Sequence, residues 1–82
     1  MGQRRILIVT RDVMDENMAG PAIRYWEFAR VLSHQAQVTL ATPFPTNLSP
    51  GAFEIVQYDA ERLERLAAAS EVIILSTYTL WQ

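Results

Sequence analysis

Arg5-Ile6-Leu7-Ile8-Val9-Thr10, a polar interval reaching Ala19, and then Gly20-Pro21-Ala22-Ile23-Arg24-Tyr25-Trp26-Glu27-Phe28-Ala29-Arg30-Val31-Leu32 form the stretch on which the fold turns. Ile6–Val9 is an aliphatic run without a polar break. Such a run suits a strand covered on both faces, the usual state of a central parallel strand. The interval from Thr10 to Ala19 is polar and interrupted, and it predicts a solvated loop at the strand's carboxyl end. Gly20 then offers a permissive backbone position, and Pro21 a preset helical φ at the first helical residue. From Pro21 to about Ser33, the residues Ala22, Tyr25, Trp26, Ala29 and Leu32 recur at spacings of three and four and make one apolar face. Ala22 and Ala29 are small enough to let that face sit close to a sheet. Arg24, Glu27 and Val31 fall on the opposite side, with Ile23 and Phe28 on the flanks. Glu27 and Arg30 are placed to pair. His34 lies at the end of the helix, where the dipole favours a cation, so a surface cap is expected rather than catalysis.

Outward from this unit, Gln37–Ala41 reads as a second strand, with Val38 and Leu40 on one face and Thr39 and Ala41 on the other. Thr42–Gly51 carries Pro43, Pro45 and Pro50 and predicts a stiff loop. Phe53–Tyr58 is a third strand of partial alternation, suited to a place near an edge. Asp59 is a natural N-cap for a helix over Ala60–Ala69, without a full capping box because Arg62 holds the N3 position. Leu63, Leu66 and Ala67 are its expected buried face, and Glu61 and Arg65 an i, i+4 pair. Glu71–Ser76 is a fourth strand, apolar enough to be central.

The order β-α-β-β-α-β is shared by ferredoxin-like folds and by half of a Rossmann fold. Ferredoxin-like sheets are antiparallel and leave one face of each strand wet, whereas the first and fourth strands here are apolar throughout. The predicted class is therefore α/β, a partial Rossmann-like three-layer sandwich with a mostly parallel sheet. Right-handed crossovers then give the strand order 3-2-1-4. That order leaves the outer edge of the fourth strand open, and Leu80 and Trp81 without a partner. The expectation is a single domain over residues 1–82 that is the amino-terminal part of a longer protein, or one that forms a homodimer through the exposed sheet edge.

The bulk numbers exclude several function classes. Half of the 82 residues are hydrophobic and a fifth are charged, which argues for a folded core. A net charge of −2 argues against a nucleic-acid binder. All seven basic residues are arginine, a residue suited to bidentate phosphate contacts. Without cysteine there is neither a disulfide framework nor a thiolate metal site, and one histidine gives a zinc site nothing to rest on. Met1–Arg5 leads straight into the first strand, which leaves no room for a signal peptide's apolar region. Ile6 stands where a myristoylation signal needs Ser or Thr. No apolar run approaches the ~20 residues that span a bilayer. A cytoplasmic protein is expected.

One constellation could carry chemistry: Gly20-Pro21-Ala22-Ile23-Arg24 at the mouth of the first strand. Gly20 would let an anion approach the backbone, the first-turn N–H groups would face it, and the Arg24 guanidinium could reach it. Pro21 removes one donor and leaves Gly20, Ala22 and Ile23. The same residues read equally as a plain helix start with Arg24 in solvent. The dinucleotide fingerprint G-x-G-x-x-G and the P-loop G-x-x-x-x-G-K-[ST] are both absent.

Taken together, Ile6-Leu7-Ile8-Val9-Thr10, Gly20 through Leu32 and Val38-Thr39-Leu40-Ala41-Thr42-Pro43 resemble the opening of a group 1 glycosyltransferase of the GT-B fold. Glu27, Ala29 and Leu32 match the E-x-A-x-x-L-like end of that family's first helix, and Val38-Thr39-Leu40 its V-T-L strand. The resemblance implies an acceptor-side amino-terminal domain whose glycine loop meets the diphosphate of a nucleotide sugar held mainly by a second domain. Gly20 takes the place of that loop, with Arg24 a candidate for the same anion. The family often has a Gly-Gly pair where this chain has Ala19-Gly20-Pro21. Its catalytic histidine and its acidic E-x7-E motif lie beyond the region matched, and His34 matches neither, so no catalytic residue is expected here. By the same resemblance, this segment alone would be inactive and hold no cofactor, while the parent would use a nucleotide-sugar donor and an acceptor and could associate peripherally with a membrane. The other reading is a non-enzymatic phosphate-binding or receiver-like signalling module, in which Asp12 and Asp15 imitate an acidic pair and Asp59 a phosphoacceptor.

Overall fold

The computed structural model describes residues 4–11, 14, 20–46, 48 and 50–75. Six elements follow one another: β1 (Arg4–Val9), α1 (Gly20–Leu32), β2 (Ala36–Thr42), β3 (Glu54–Gln57), α2 (Ala60–Ala68) and β4 (Val72–Leu75). The strands make one sheet in the order β3-β2-β1-β4, and every pairing is parallel. The expected α/β class and strand order are thus present, and the antiparallel ferredoxin-like alternative is not.

Register explains how the faces sort. Ile6 pairs with Val38 and Val72, Ile8 with Leu40 and Ile74, and Leu40 with Ile55. Because side chains alternate along a strand, these residues share one face. That face packs under Ala22 and Ala29 of α1, with Tyr25, Trp26 and Leu32 half-buried around them. Leu7, Val9 and Ala41 point to the other face, which is covered by Leu63, Leu66 and Ala67 of α2. Helix, sheet and helix are the three layers. Trp26 closes one end of the α1 layer edge-on against Phe53, with ring centroids 5.2 Å apart and planes at 76°.

The two layers are unequal. Leu7, Ile8, Met14, Ala29 and Leu40 are fully buried. No residue of α2 is buried, so Leu63, Leu66 and Ala67 form its inner face, as their spacing requires, without being sealed from water. β4 departs from expectation in a similar way. Its composition is that of an inner strand, yet Val72, Ile73 and Leu75 remain 38%, 44% and 43% exposed. Alternation puts Val72 on one face and Ile73 and Leu75 on the other, so both faces of β4 are partly uncovered. Ser76, assigned to this strand from sequence, and the tail that follows it lie outside the described residues, as do Asp12 and Asp15.

Local chemistry accounts for the helix ends. The Asp59 carboxylate accepts a hydrogen bond from the Arg62 N–H at 2.8 Å, and its backbone is extended, as an N-cap's should be. Asp59→Ala is expected to cost about 1 kcal/mol, read as a shift in the urea midpoint at unchanged m-value. Glu61 and Arg65 pair at 3.1 Å and Glu27 and Arg30 at 2.8 Å, with all four side chains at least half exposed. Each pair adds only a few tenths of a kcal/mol. His34 sits in the exposed turn after α1, where its N–H donates to the Val31 carbonyl at 3.2 Å.

Among the described residues, Gly51 alone has a positive φ, at 85°. With Pro50 before it, this is the φ a type II turn demands at its third residue, where a Cβ is strained. Space does not oppose a methyl there, so the cost of Gly51→Ala is backbone strain alone, about 1 kcal/mol in a thermal melt.

Candidate functional site

Geometry fixes where the amino end of α1 must lie. A turn of three residues, Ser33 to Gln35, joins the end of α1 to the start of β2. The carboxyl end of α1 is therefore at the amino end of the sheet. A helix of 13 residues spans about 20 Å, close to the length of β1, so Gly20 returns to the carboxyl end of the strands. In open α/β sheets this is the end where ligands bind, in the crevice at the point where strand order reverses. Here the reversal falls between β1 and β4, since α1 carries the chain from β1 to β2 and α2 carries it from β3 across to β4.

Gly20 and Arg24 are both exposed and lie one turn apart on α1. With α1 starting at Gly20, the N–H groups of Gly20 and Ala22 are first-turn donors with no acceptor within the helix, and Pro21 contributes none. No acidic residue stands in the first turn to offset the positive end of the dipole. Among the described residues Arg24 makes no ion pair, in contrast to Arg30 and Arg65. Gly20 does not have a positive φ, and a Cβ added there would meet no described atom within 4 Å. The backbone licence expected of this glycine is therefore not used. No described residue crowds the position.

The strands' carboxyl ends are tied together beside this point. The Thr10 N–H donates to the Ala41 carbonyl and the Tyr58 N–H to the Thr42 carbonyl, both at 2.9 Å, which extends the ladder one step past β1 and β3. Thr10 and Thr42 are fully buried, and no buried side-chain nitrogen or oxygen among the described residues lacks a partner. The Tyr58 hydroxyl reaches toward the Thr10 carbonyl at 3.5 Å. The Thr42 Oγ1 accepts from the Phe44 N–H at 3.3 Å, and the Thr46 Oγ1 from the Leu48 N–H at 3.2 Å, so two hydroxyl-capped turns shape the proline-rich loop. From sequence this loop reads only as a stiff connection, set by its three prolines. Its threonines were the available signal, since Ser and Thr in turns bond the backbone two residues on.

Two concavities among the described residues lie elsewhere. A groove of about 480 Å³ opens at the amino ends of β2 and β3, lined in part by Ala36, Val38, Leu48, Phe53 and Ile55. It is at the opposite end of the sheet from Gly20. A polar hollow of about 330 Å³ is framed by Gln57, Tyr58, Asp59 and Arg62 where α2 begins. Gly20 and Arg24 line neither. Among the described residues no group of three His, Asp or Glu could hold a metal ion, and no helix is long and apolar enough to cross a membrane.

In comparisons with known proteins, no family model, no curated protein and no solved structure matches this chain.

Proposed function

We propose that this chain is the amino-terminal, acceptor-side part of a sugar transferase of the GT-B type, whose complete protein moves a glycosyl group from a nucleotide sugar to an acceptor. The observation that carries the reading is the amino end of α1. It lies at the carboxyl end of an all-parallel 3-2-1-4 sheet, with no described residue crowding Gly20, on the same residues that resemble the family's glycine loop and first helix. In this reading the N–H groups of Gly20 and Ala22 and the guanidinium of Arg24 meet the donor's diphosphate across a cleft. The donor's nucleotide and the catalytic groups belong to the rest of the parent, so the chain alone is inactive.

The partly uncovered faces of β4 support the same reading. An apolar strand exposed on both sides is suited to further sheet and helix beside it. Among the described residues the free edge of β4 is four residues long, and in this reading further strands of the parent lie against it.

The receiver-like alternative gains little. Receivers have the order 2-1-3-4-5, with β3 beside β1. Here β3 lies outside β2, and the Asp59 carboxylate caps α2.

The deciding experiment incubates the full-length protein with a panel of nucleotide sugars and measures nucleotide release and glycosyl transfer. Transfer from at least one donor is the expected result. No transfer and no release from any donor, with Asp59 taking up phosphate from acetyl phosphate, would replace this reading by the signalling one.

A further inference from the structure

We propose that the Thr46 hydroxyl is a latch that joins the loop after β2 to the loop after β1 and keeps Met14 in the core. Thr46 and Met14 are 32 residues apart, and the Thr46 Oγ1 donates to the Met14 carbonyl at 2.7 Å. A hydroxyl has one proton, and this one has one place to go. The Leu48 N–H already occupies a lone pair of the same oxygen at 3.2 Å, so the acceptor side serves the turn and the donor side serves the latch.

Met14 is held at two points. Its carbonyl is pinned by Thr46, and its side chain, fully buried, packs in the α1-side core with Ile8, Ala22, Val38 and Leu40. Met14 lies between the end of β1 at Val9 and the start of α1 at Gly20, and no β-ladder or helix bond holds it there. The thioether is flexible and fits many cavities, so packing by itself specifies its place poorly. The hydrogen bond adds the direction that the packing lacks. Thr46 and Met14 are therefore held to one another, and loss of the hydroxyl uncouples them. This holds whatever ligand the protein takes.

Oxidation of Met14 by dilute hydrogen peroxide reads the latch, since a buried thioether is protected and a released one is not. Thr46→Val keeps the shape and removes the hydroxyl, both the proton given to Met14 and the oxygen that accepts from Leu48, whereas Thr46→Ser keeps both and removes the methyl. The rate of Met14 sulfoxide formation, followed by peptide mass mapping, is expected to rise about tenfold in Thr46→Val and to stay within about twofold of the parent in Thr46→Ser. Amide exchange at Leu7 and Ile8 is measured alongside and is expected to be unchanged, which marks the opening as local. An unchanged rate in Thr46→Val overturns the proposal. So does equal acceleration in both variants, which would assign the effect to the methyl, and so does faster exchange at Leu7 and Ile8 in step with oxidation, which would make it global unfolding.

Discussion

Leu40→Ala is expected to remove about 3 kcal/mol of stability and to lower the melting temperature by about 15 °C or more. Leu40 is fully buried in the middle of β2, paired with Ile8 on one side and Ile55 on the other, and it packs beneath α1. Truncation there removes the transfer free energy of three carbons and leaves a cavity that flanking strands, fixed in register, cannot close. A domain of this size has a total stability of only about 5 kcal/mol, so the variant would keep about 2 kcal/mol, less than half of the parent's margin. The matched control is Leu66→Ala on α2. Leu66 packs on Leu7, Val9 and Ala41 from the other side but is only half-buried, and about 1 kcal/mol is expected. Urea unfolding of the two variants checks both values. Equal losses would mean that the α2 layer is packed as tightly as the α1 layer, contrary to the burial seen here.

That contrast also marks what the sequence could and could not convey. Alternation in Val38-Thr39-Leu40-Ala41 and the three-and-four spacing in Ala22, Tyr25, Trp26, Ala29 and Leu32 state which way a side chain points, and each points that way in the structure. Pattern does not state depth. Leu63, Leu66 and Ala67 face the sheet as their spacing demands, yet how far they are buried depends on what lies around α2. The same holds for β4, whose aliphatic composition describes a strand with neighbours on every side and which, among the described residues, pairs on one edge. Contacts between distant loops were hidden for another reason. Nothing local in Pro45-Thr46 names Met14 as a partner, because the two meet only once β1 and β2 lie side by side. The glycines show a third limit. Gly20 looked like the residue with special backbone freedom, but Gly51 has the positive φ, and its signal was the Pro50 before it.

The loss of special backbone geometry at Gly20 makes the candidate site easier to test, because binding and folding can be separated there. Gly20→Ala is expected to leave stability within about 0.5 kcal/mol of the parent, since its φ is not positive and the added methyl meets no described atom. If a diphosphate sits over the first turn of α1, the same methyl occupies the approach to the N–H groups of Gly20 and Ala22. Affinity for pyrophosphate, used as the diphosphate common to nucleotide donors, should then fall about tenfold, or ~1.4 kcal/mol. Arg24→Ala should cause a loss of similar size, and Arg24→Lys should restore only part of it, because an ammonium supplies charge without the paired donors of a guanidinium. Titration followed by amide shifts at Ala22 and Ile23 reads position and affinity together. Unaltered affinity in Gly20→Ala and Arg24→Ala would remove α1 as the anion site whatever the parent transfers. A fall in affinity with full stability could not come from a damaged fold, and that combination separates a ligand at Gly20 from a glycine that merely begins a helix.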